Sequence, residues 1–410
     1  MTDNAREFDV LVWGASGFTG RLVAEYLLAT YGVTGGVRWA LAGRSQSRLE
    51  SVREALGPQA AALPIRVAAI DDPAGLAALA ASTRVVCTTV GPYALYGSSL
   101  VAACVAAGTH CSDLTGEVHW MRRMIDQHHE AARASGARIV HTCGFDSIPS
   151  DIGTWHLQET LRARHGVPAP IVQLRARDFR GGFSGGTIAS MLNMLAEAEQ
   201  DAAVMAVMSD PYGLNPAGSA RGLDGPEQSL PWYDAGIGAW VTPFIMAAIN
   251  TKVVRRTNAL LGYPYGHDFR YQEGTVMPWG RFGLPLAFAS ATASAAAMAA
   301  IGVPALRRFI GKRLPQPGEG PSQALRESGY YVLDLYGRYP QAPRQDLCLR
   351  IRGDRDPGYG STAKMLAESA VCLAQDDLDG PGGVLTPAAA MGSALVSRLS
   401  ARAGLTFEFQ

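Results

Sequence analysis

Seven residues near the start of the chain have the types and spacing to hold a phosphate. They are Gly14-Ala15-Ser16-Gly17-Phe18-Thr19-Gly20, a G-x-x-G-x-x-G pattern placed after an apolar run and before a helical one. Glycines let a backbone turn sharply and approach a diphosphate closely. The first turn of the helix then offers free N–H groups and a positive dipole end. Gly14, Ser16, Gly17, Phe18, Thr19 and Gly20 are therefore the expected cofactor contacts. About thirty residues on, the chain reads Ala42-Gly43-Arg44-Ser45, with Arg48 one turn later. A carboxylate here would bind a ribose 2′-hydroxyl. Arg44, Ser45 and Arg48 instead suit a 2′-phosphate, so NADP is expected over NAD. Asp71 is placed to touch an adenine, or to cap a helix.

Three further loops should face the reacting end of such a cofactor. The first is Val90-Gly91-Pro92-Tyr93-Ala94-Leu95-Tyr96-Gly97, a rigid bend followed by two tyrosines three residues apart. Val90, Gly91, Pro92 and Tyr93 are expected along the nicotinamide, with Tyr93 and Tyr96 as candidate proton donors. Packing with a satisfied hydroxyl is the competing reading of both tyrosines. The second loop holds Asp113 and Glu117, which suit helix capping or hydrogen bonds to a ligand. The third holds Asp146, Ser147 and Asp151, again with capping potential. His110 and His141 sit in strand-like segments and read as core residues. His128 and His129 are helical neighbours that diverge around the axis, so no metal site is expected. No G-x-S-x-G elbow occurs, and the chain has three lysines, Lys252, Lys312 and Lys364. Serine-nucleophile and Schiff-base chemistry are thus disfavoured.

The elements that must position these loops follow from periodicity. Short apolar runs at Phe8–Trp13, Val37–Ala42, Ile65–Ile70, Arg84–Val90, His110–Leu114 and Arg138–Thr142 alternate with helical segments. That alternation predicts an α/β fold: an N-terminal Rossmann doubly wound parallel sheet. After Gly144 the pattern changes. A strand over Ile171–Phe179, the turn Gly181–Gly186, a helix over Thr187–Ser209, and long strands over Tyr330–Tyr339 and Asp346–Arg352 predict a second α+β domain with a mixed or antiparallel sheet. Helices follow over Ser361–Gln375 and Pro387–Ala403, and Gln316–Gln323 reads as a surface loop. The expected division is 1–150 for the cofactor domain and 151–375 for a substrate and dimerisation domain. Residues 376–410 form a helix and strand that return to the first domain.

Composition narrows the function. The chain has 410 residues, with 36 Lys+Arg balanced by 36 Asp+Glu. This neutrality argues against a phosphate-driven nucleic-acid binder. Hydrophobic content is 48%, well above what a disordered chain carries. The six cysteines include no C-x-x-C pair, which points to a reducing compartment. The N-terminus carries no apolar leader, so a cytoplasmic protein is expected. Charge is depleted locally: residues 235–251 and the 25 residues 282–306 carry none. Pro285, Pro304 and interrupting hydroxyls argue against a membrane span across 282–306. A buried or surface-seated helix is expected, with Arg307, Arg308, Lys312 and Arg313 placed for lipid headgroups or for solvent. Peripheral membrane contact and a homodimer are both compatible with these segments.

Together, Gly14–Gly20, Ala42-Gly43-Arg44, Thr89–Tyr93, Asp113–Glu117, Gly144–Asp151 and Gly382–Pro387 resemble the saccharopine dehydrogenase-like oxidoreductases. Within them the chain is most similar to the branch containing the trans-acting enoyl reductases. That resemblance implies an NADP-binding Rossmann domain with an added α+β domain. It also implies reduction of a carbon–carbon double bond in an acyl thioester made by a polyketide synthase. The substrate would be an acyl or lipid-like molecule, carried or free. The resemblance assigns no catalytic residue. Two other readings stay open: a non-catalytic, lipid-associated NADP-binding protein, and a saccharopine or amino-acid dehydrogenase. The second domain's few basic residues suit an apolar substrate better than a polycarboxylate.

Overall fold

The computed structural model describes residues 6–181, 185–302 and 320–410. Fourteen strands are found among these residues. β1 (Phe8–Trp13), β2 (Trp39–Gly43), β3 (Ile65–Val67), β4 (Thr83–Thr88), β5 (His110–Ser112) and β6 (Arg138–Val140) alternate with helices. Then come β7 (Ile171–Arg180), β8 (Trp232–Asp234), β9 (Ala239–Thr242), β10 (Arg270–Val276), β11 (Tyr330–Arg338) and β12 (Leu347–Gly353). β13 (Gly383–Leu385) and β14 (Leu405–Phe409) complete them.

The first sheet runs β13-β6-β5-β4-β1-β2-β3 and is parallel throughout. Every residue of β1 is buried, as a strand covered on both faces requires. Alternation sorts its side chains: Val10 and Val12 join one core with Val23 and Leu27, and Leu11 and Trp13 join another with Leu76, Leu100 and Met121. The strand order reverses between β1 and β4, which opens a crevice at their carboxyl ends. The helix Thr362–Gln375 packs across β1 and β4 beside the helix Phe18–Tyr31. It follows the second sheet in sequence but covers the first.

The second sheet runs β14-β12-β11-β7-β10-β9-β8. Only β7 and β10 pair in parallel, so it is mixed. The helix Ile148–His165 lies on its β11 and β12 strands. The C-terminal segment is shared between the two sheets. β13 extends the first sheet beyond β6, and β14 extends the second beyond β12. The expected single helix over Thr187–Ser209 is two, Gly185–Gln200 and Ala202–Ser209. They break at Asp201, whose carboxylate accepts the Ala203 N–H at 2.8 Å and starts the second helix.

Within the second sheet Asp334 is fully buried between two arginines. Arg350 donates to it through Nε at 2.7 Å and Nη2 at 2.8 Å, and Arg177 through Nε at 2.8 Å. Burial alone would raise this carboxyl. The guanidinium hydrogen bonds outweigh it and hold the group below the usual carboxylate range. Its contribution is therefore present above an unfolded pKa of about 4 and is lost as pH falls through the depressed folded value. Asp334→Ala should cost about 3 kcal/mol in urea unfolding at pH 7, because two cations lose their partner. The gap between variant and parent should close toward acid pH.

The uncharged stretch forms the helix Leu284–Gly302, preceded by Trp279 and Phe282, each 69% exposed. Arg281 lies 4.7 Å from the Phe282 ring. No helix of the described residues is long and apolar enough to cross a membrane. Residues 303–306 of the stretch, the basic residues Arg307, Arg308, Lys312 and Arg313, and residues 316–319 of the loop expected over Gln316–Gln323 lie outside the described residues. So do Gly182, Phe183 and Ser184 of the expected turn.

Candidate active site

The phosphate turn starts where β1 ends. Gly14 has φ +87°, and a Cβ there would sit 2.5 Å from Val90 Cγ2 and 2.9 Å from Thr89 Oγ1. A Cβ on Gly20 would run into the Gly14 carbonyl oxygen and Ala15 Cα. The helix Phe18–Tyr31 has Gly17 as its cap, with no capping side chain and no acid in its first turn. Gly17 N–H closes the turn on the Gly14 carbonyl at 2.9 Å, and Arg21 N–H bonds the Gly17 carbonyl at 3.0 Å. The N–H groups of Phe18, Thr19 and Gly20 belong to the first turn and have no acceptor within the helix. Ser16 is half-buried beside them. This cradle fits a dinucleotide diphosphate.

At the end of β2, Arg44 and Arg48 are exposed and have no ion pair among the described residues. Ser45 caps the next helix through its hydroxyl, 3.5 Å from Arg48 N. Asp71 is exposed beyond β3. The capping role falls to its neighbour Asp72, which accepts the Gly75 N–H at 3.0 Å.

The loop after β4 is held from beneath. The Gly91–Pro92 bond is cis and leads into the short helix Tyr93–Tyr96. Glu117 is buried and accepts the N–H groups of Tyr93 and Ala94, each at 2.8 Å. It caps this neighbouring turn and not its own helix, for which it makes no side-chain cap bond. Burial raises the Glu117 carboxyl. The Tyr93 hydroxyl donates to the Thr88 carbonyl at 3.2 Å and accepts the Leu114 N–H at 3.4 Å. Burial, with Asp113 nearby, pushes its phenol well above the ordinary value. Tyr96 is 41% exposed. Asp113 accepts Thr115 N–H at 3.0 Å and Thr142 N–H at 3.3 Å, and its other oxygen lies 2.6 Å from His141 Nδ1. His141 is in turn edge-on to Trp120 at 5.0 Å. These groups stiffen the floor of the crevice.

The loop after β6 differs. Asp146 and Ser147 read as caps in sequence, yet Ser147 makes no cap bond for the helix Ile148–His165. Its hydroxyl donates to Asn250 Oδ1 at 3.0 Å. Asn250 Nδ2 donates to Glu273 at 3.0 Å, and Tyr271 hydroxyl donates to the same carboxyl at 2.8 Å. Asp146 has no hydrogen-bond partner among the described residues and keeps part of its surface open. Burial pushes its carboxyl up to about 7. A carboxyl that can hold a proton at neutral pH, in a loop at the carboxyl end of the parallel sheet, is a general-acid candidate. Glu273 and Asp151 are also pushed up to about 7 by burial, but both are spent on partners: Asp151 takes the Thr257 hydroxyl and the Ala388 N–H. Nothing in the spacing around Asp146 distinguishes it from a cap; only three dimensions show it without a partner among the described residues.

The second domain closes over this region. Ser190 Oγ, on the helix Gly185–Gln200, is 3.3 Å from where a Gly91 Cβ would stand. Ile249 Cδ1, on the helix Ala247–Leu260, is 2.9 Å from a Gly116 Cβ position. No group of three or more His, Cys, Asp or Glu is placed to hold a metal among the described residues.

Residues 10–140 match the model of the saccharopine dehydrogenase NADP binding domain. A protein of Mycobacterium tuberculosis, named as a candidate trans-acting enoyl reductase, is 45% identical over 420 residues, covering 100% of this chain and 99% of its own. The trans-acting enoyl reductase of Mycobacterium leprae is 38% identical over 416 residues, covering 97% of each. Among solved structures, the apo saccharopine dehydrogenase of Saccharomyces cerevisiae aligns with 98% of this chain and 99% of its own. Its TM-score is 0.49 and its identity 12%.

Proposed function

Because the chain belongs to the family of the trans-acting enoyl reductases, we propose that it uses NADPH to reduce the carbon–carbon double bond of an acyl thioester. The relatives are named as trans-acting enoyl reductases, and an acyl thioester made by a polyketide synthase is the substrate class that the resemblance implies. The match of residues 10–140 to the NADP binding domain supports an oxidoreductase of the nicotinamide type. Beside the family, the reading rests on Asp146 in the loop after β6, partly exposed and without a hydrogen-bond partner among the described residues, its carboxyl pushed up to about 7 by burial.

NADPH held in this cradle would supply the hydride for the substrate's β-carbon. The chain's own residues must do the rest. Gly14, Gly17 and the first-turn N–H groups hold the diphosphate. Arg44 and Arg48 take the 2′-phosphate, with Ser45 setting the start of their helix. As the electron pair moves toward the thioester oxygen, a donor there lowers the barrier. Tyr96 is the exposed hydroxyl of that loop. The Tyr93 hydroxyl is committed to backbone groups, so Tyr93 holds the loop in place. Asp146 carries the proton for the α-carbon, and Ser190 and Ile249 wall the acyl side and limit water.

Oxidation of NADPH, followed by absorbance with enoyl thioesters of increasing length, tests this reading. Failure to turn over any of them, with NADPH bound, would sink it. Arg44→Asp should weaken NADPH by about 30-fold, the loss of roughly 2 kcal/mol of charge-assisted hydrogen bonding, and leave NADH nearly unchanged. Titration of the two cofactors by fluorescence measures both numbers.

A further inference from the structure

The turn that faces the cofactor's phosphates is not built by the first domain alone. Phe18, the first residue of its helix, meets three groups that arrive from the far end of the chain. The Tyr359 ring packs edge-on against it at 5.3 Å. The Arg326 guanidinium carbon lies 5.3 Å from its ring centroid. A Cβ on Gly320 would run into the same ring. Gly320 and Arg326 lie in the segment leading into β11, and Tyr359 in the single π turn Pro357–Ser361 after β12.

These groups are fixed to one another. The Asp356 carboxylate accepts Tyr359 N–H at 3.0 Å and Gly360 N–H at 2.7 Å. Asp356 N–H donates to the Arg326 carbonyl at 3.1 Å. The guanidinium uses one N–H on the Pro321 carbonyl at 3.1 Å. Among the described residues it has no ion pair with a carboxylate, and most of its five donors have no acceptor there.

Meanwhile Gly14–Gly20 contains no basic residue. A dinucleotide diphosphate carries two negative charges. A helix N-terminus offers the equivalent of about half a positive charge. A cation with donors to spare stands beside the ring that opens this helix. We propose that Arg326 is the counter-cation of the cofactor's diphosphate, supplied to the turn from across the domain boundary. The inference rests on reading Gly14–Gly20 as a dinucleotide site. It adds that loading the cofactor ties the segment before β11 to the first domain.

The two arginine sites separate by ligand. Binding of NADPH, NADH and adenosine 2′-monophosphate to the full chain is measured by calorimetry for the parent, Arg326→Gln, Arg326→Lys and Arg44→Gln. Adenosine 2′-monophosphate has the 2′-phosphate but no diphosphate. Arg326→Gln should weaken NADPH and NADH by the same factor, about tenfold or more, and leave the monophosphate unchanged. Arg326→Lys should recover part of that loss. Arg44→Gln should weaken NADPH and the monophosphate but not NADH. Unchanged NADPH binding in Arg326→Gln overturns the inference, and so does an equal loss for the monophosphate. If the parent chain binds none of the three, the reading of the turn itself has failed.

Discussion

Replacing Asp146 with asparagine is expected to slow turnover by about 10²–10⁴-fold, the range that a positioned general acid supplies. Asparagine keeps the size and one acceptor but cannot release a proton. Cofactor affinity should stay as it is, because Asp146 lies after β6 and the phosphate cradle lies after β1. The pH profile gives a second handle. Burial raises the Asp146 carboxyl to about 7, so the acid form dominates below that pH and is lost above it. Parent kcat should therefore fall by about tenfold per pH unit well above 7. The residual rate of the asparagine variant should not follow that curve. A variant with unchanged kcat, or one that alters only KM, would remove Asp146 from the chemistry. Nearby carboxyls do not substitute for it: Glu117 holds two backbone N–H groups, and Asp151 and Glu273 are bonded into the domain junction.

The second large effect is expected at Gly20. Gly20→Val should abolish measurable NADPH binding, a loss of about 100-fold or more, and lower stability by about 1–3 kcal/mol through overpacking. The added carbons meet the Gly14 carbonyl oxygen and Ala15 Cα, which are backbone atoms and cannot rotate aside. Either the helix lifts from β1 or the turn opens, and both displace the N–H groups from the diphosphate. Gly36→Ala is the matched control. A Cβ there has nothing within 4 Å, so binding and stability should stay near the parent's. Cofactor titration and thermal unfolding of the two variants decide the matter. Parent-like NADPH affinity in Gly20→Val would mean that the close approach of helix and strand is not what shapes the site.

Much of this was legible in the sequence because local rules set it. A buried strand, a glycine turn and a helix start are adjacent in the chain, and their spacing carries the chemistry directly. The alternation of strands and helices gave the parallel sheet, and the change after Gly144 gave the mixed one. What stayed hidden depends on contacts between distant segments. Glu117 has the type and place of a helix cap, but its carboxylate crosses to Tyr93 and Ala94. Tyr93 and Tyr96 look equivalent at i and i+3; one is buried under its loop and the other is exposed. Thr362–Gln375 is recognisably helical, yet periodicity does not say which sheet it covers. Asp146 and Asp72 show the converse: one resembles a cap and has no hydrogen-bond partner among the described residues, while the other caps the helix next to Asp71.

The shared C-terminal segment sets an order of events during synthesis. β13 and β14 lie within the last 28 residues, and each adds the final strand to a different sheet. The first 150 residues leave the ribosome long before either can arrive. They must wait with β6 as an open edge, and without the Thr362–Gln375 helix across β1 and β4. Neither domain can complete itself as an independent unit in the usual vectorial order. The nascent N-terminal half is thus the species that exposes unpaired backbone and apolar sheet surface. Chaperone dependence should concentrate there, before the chain is released.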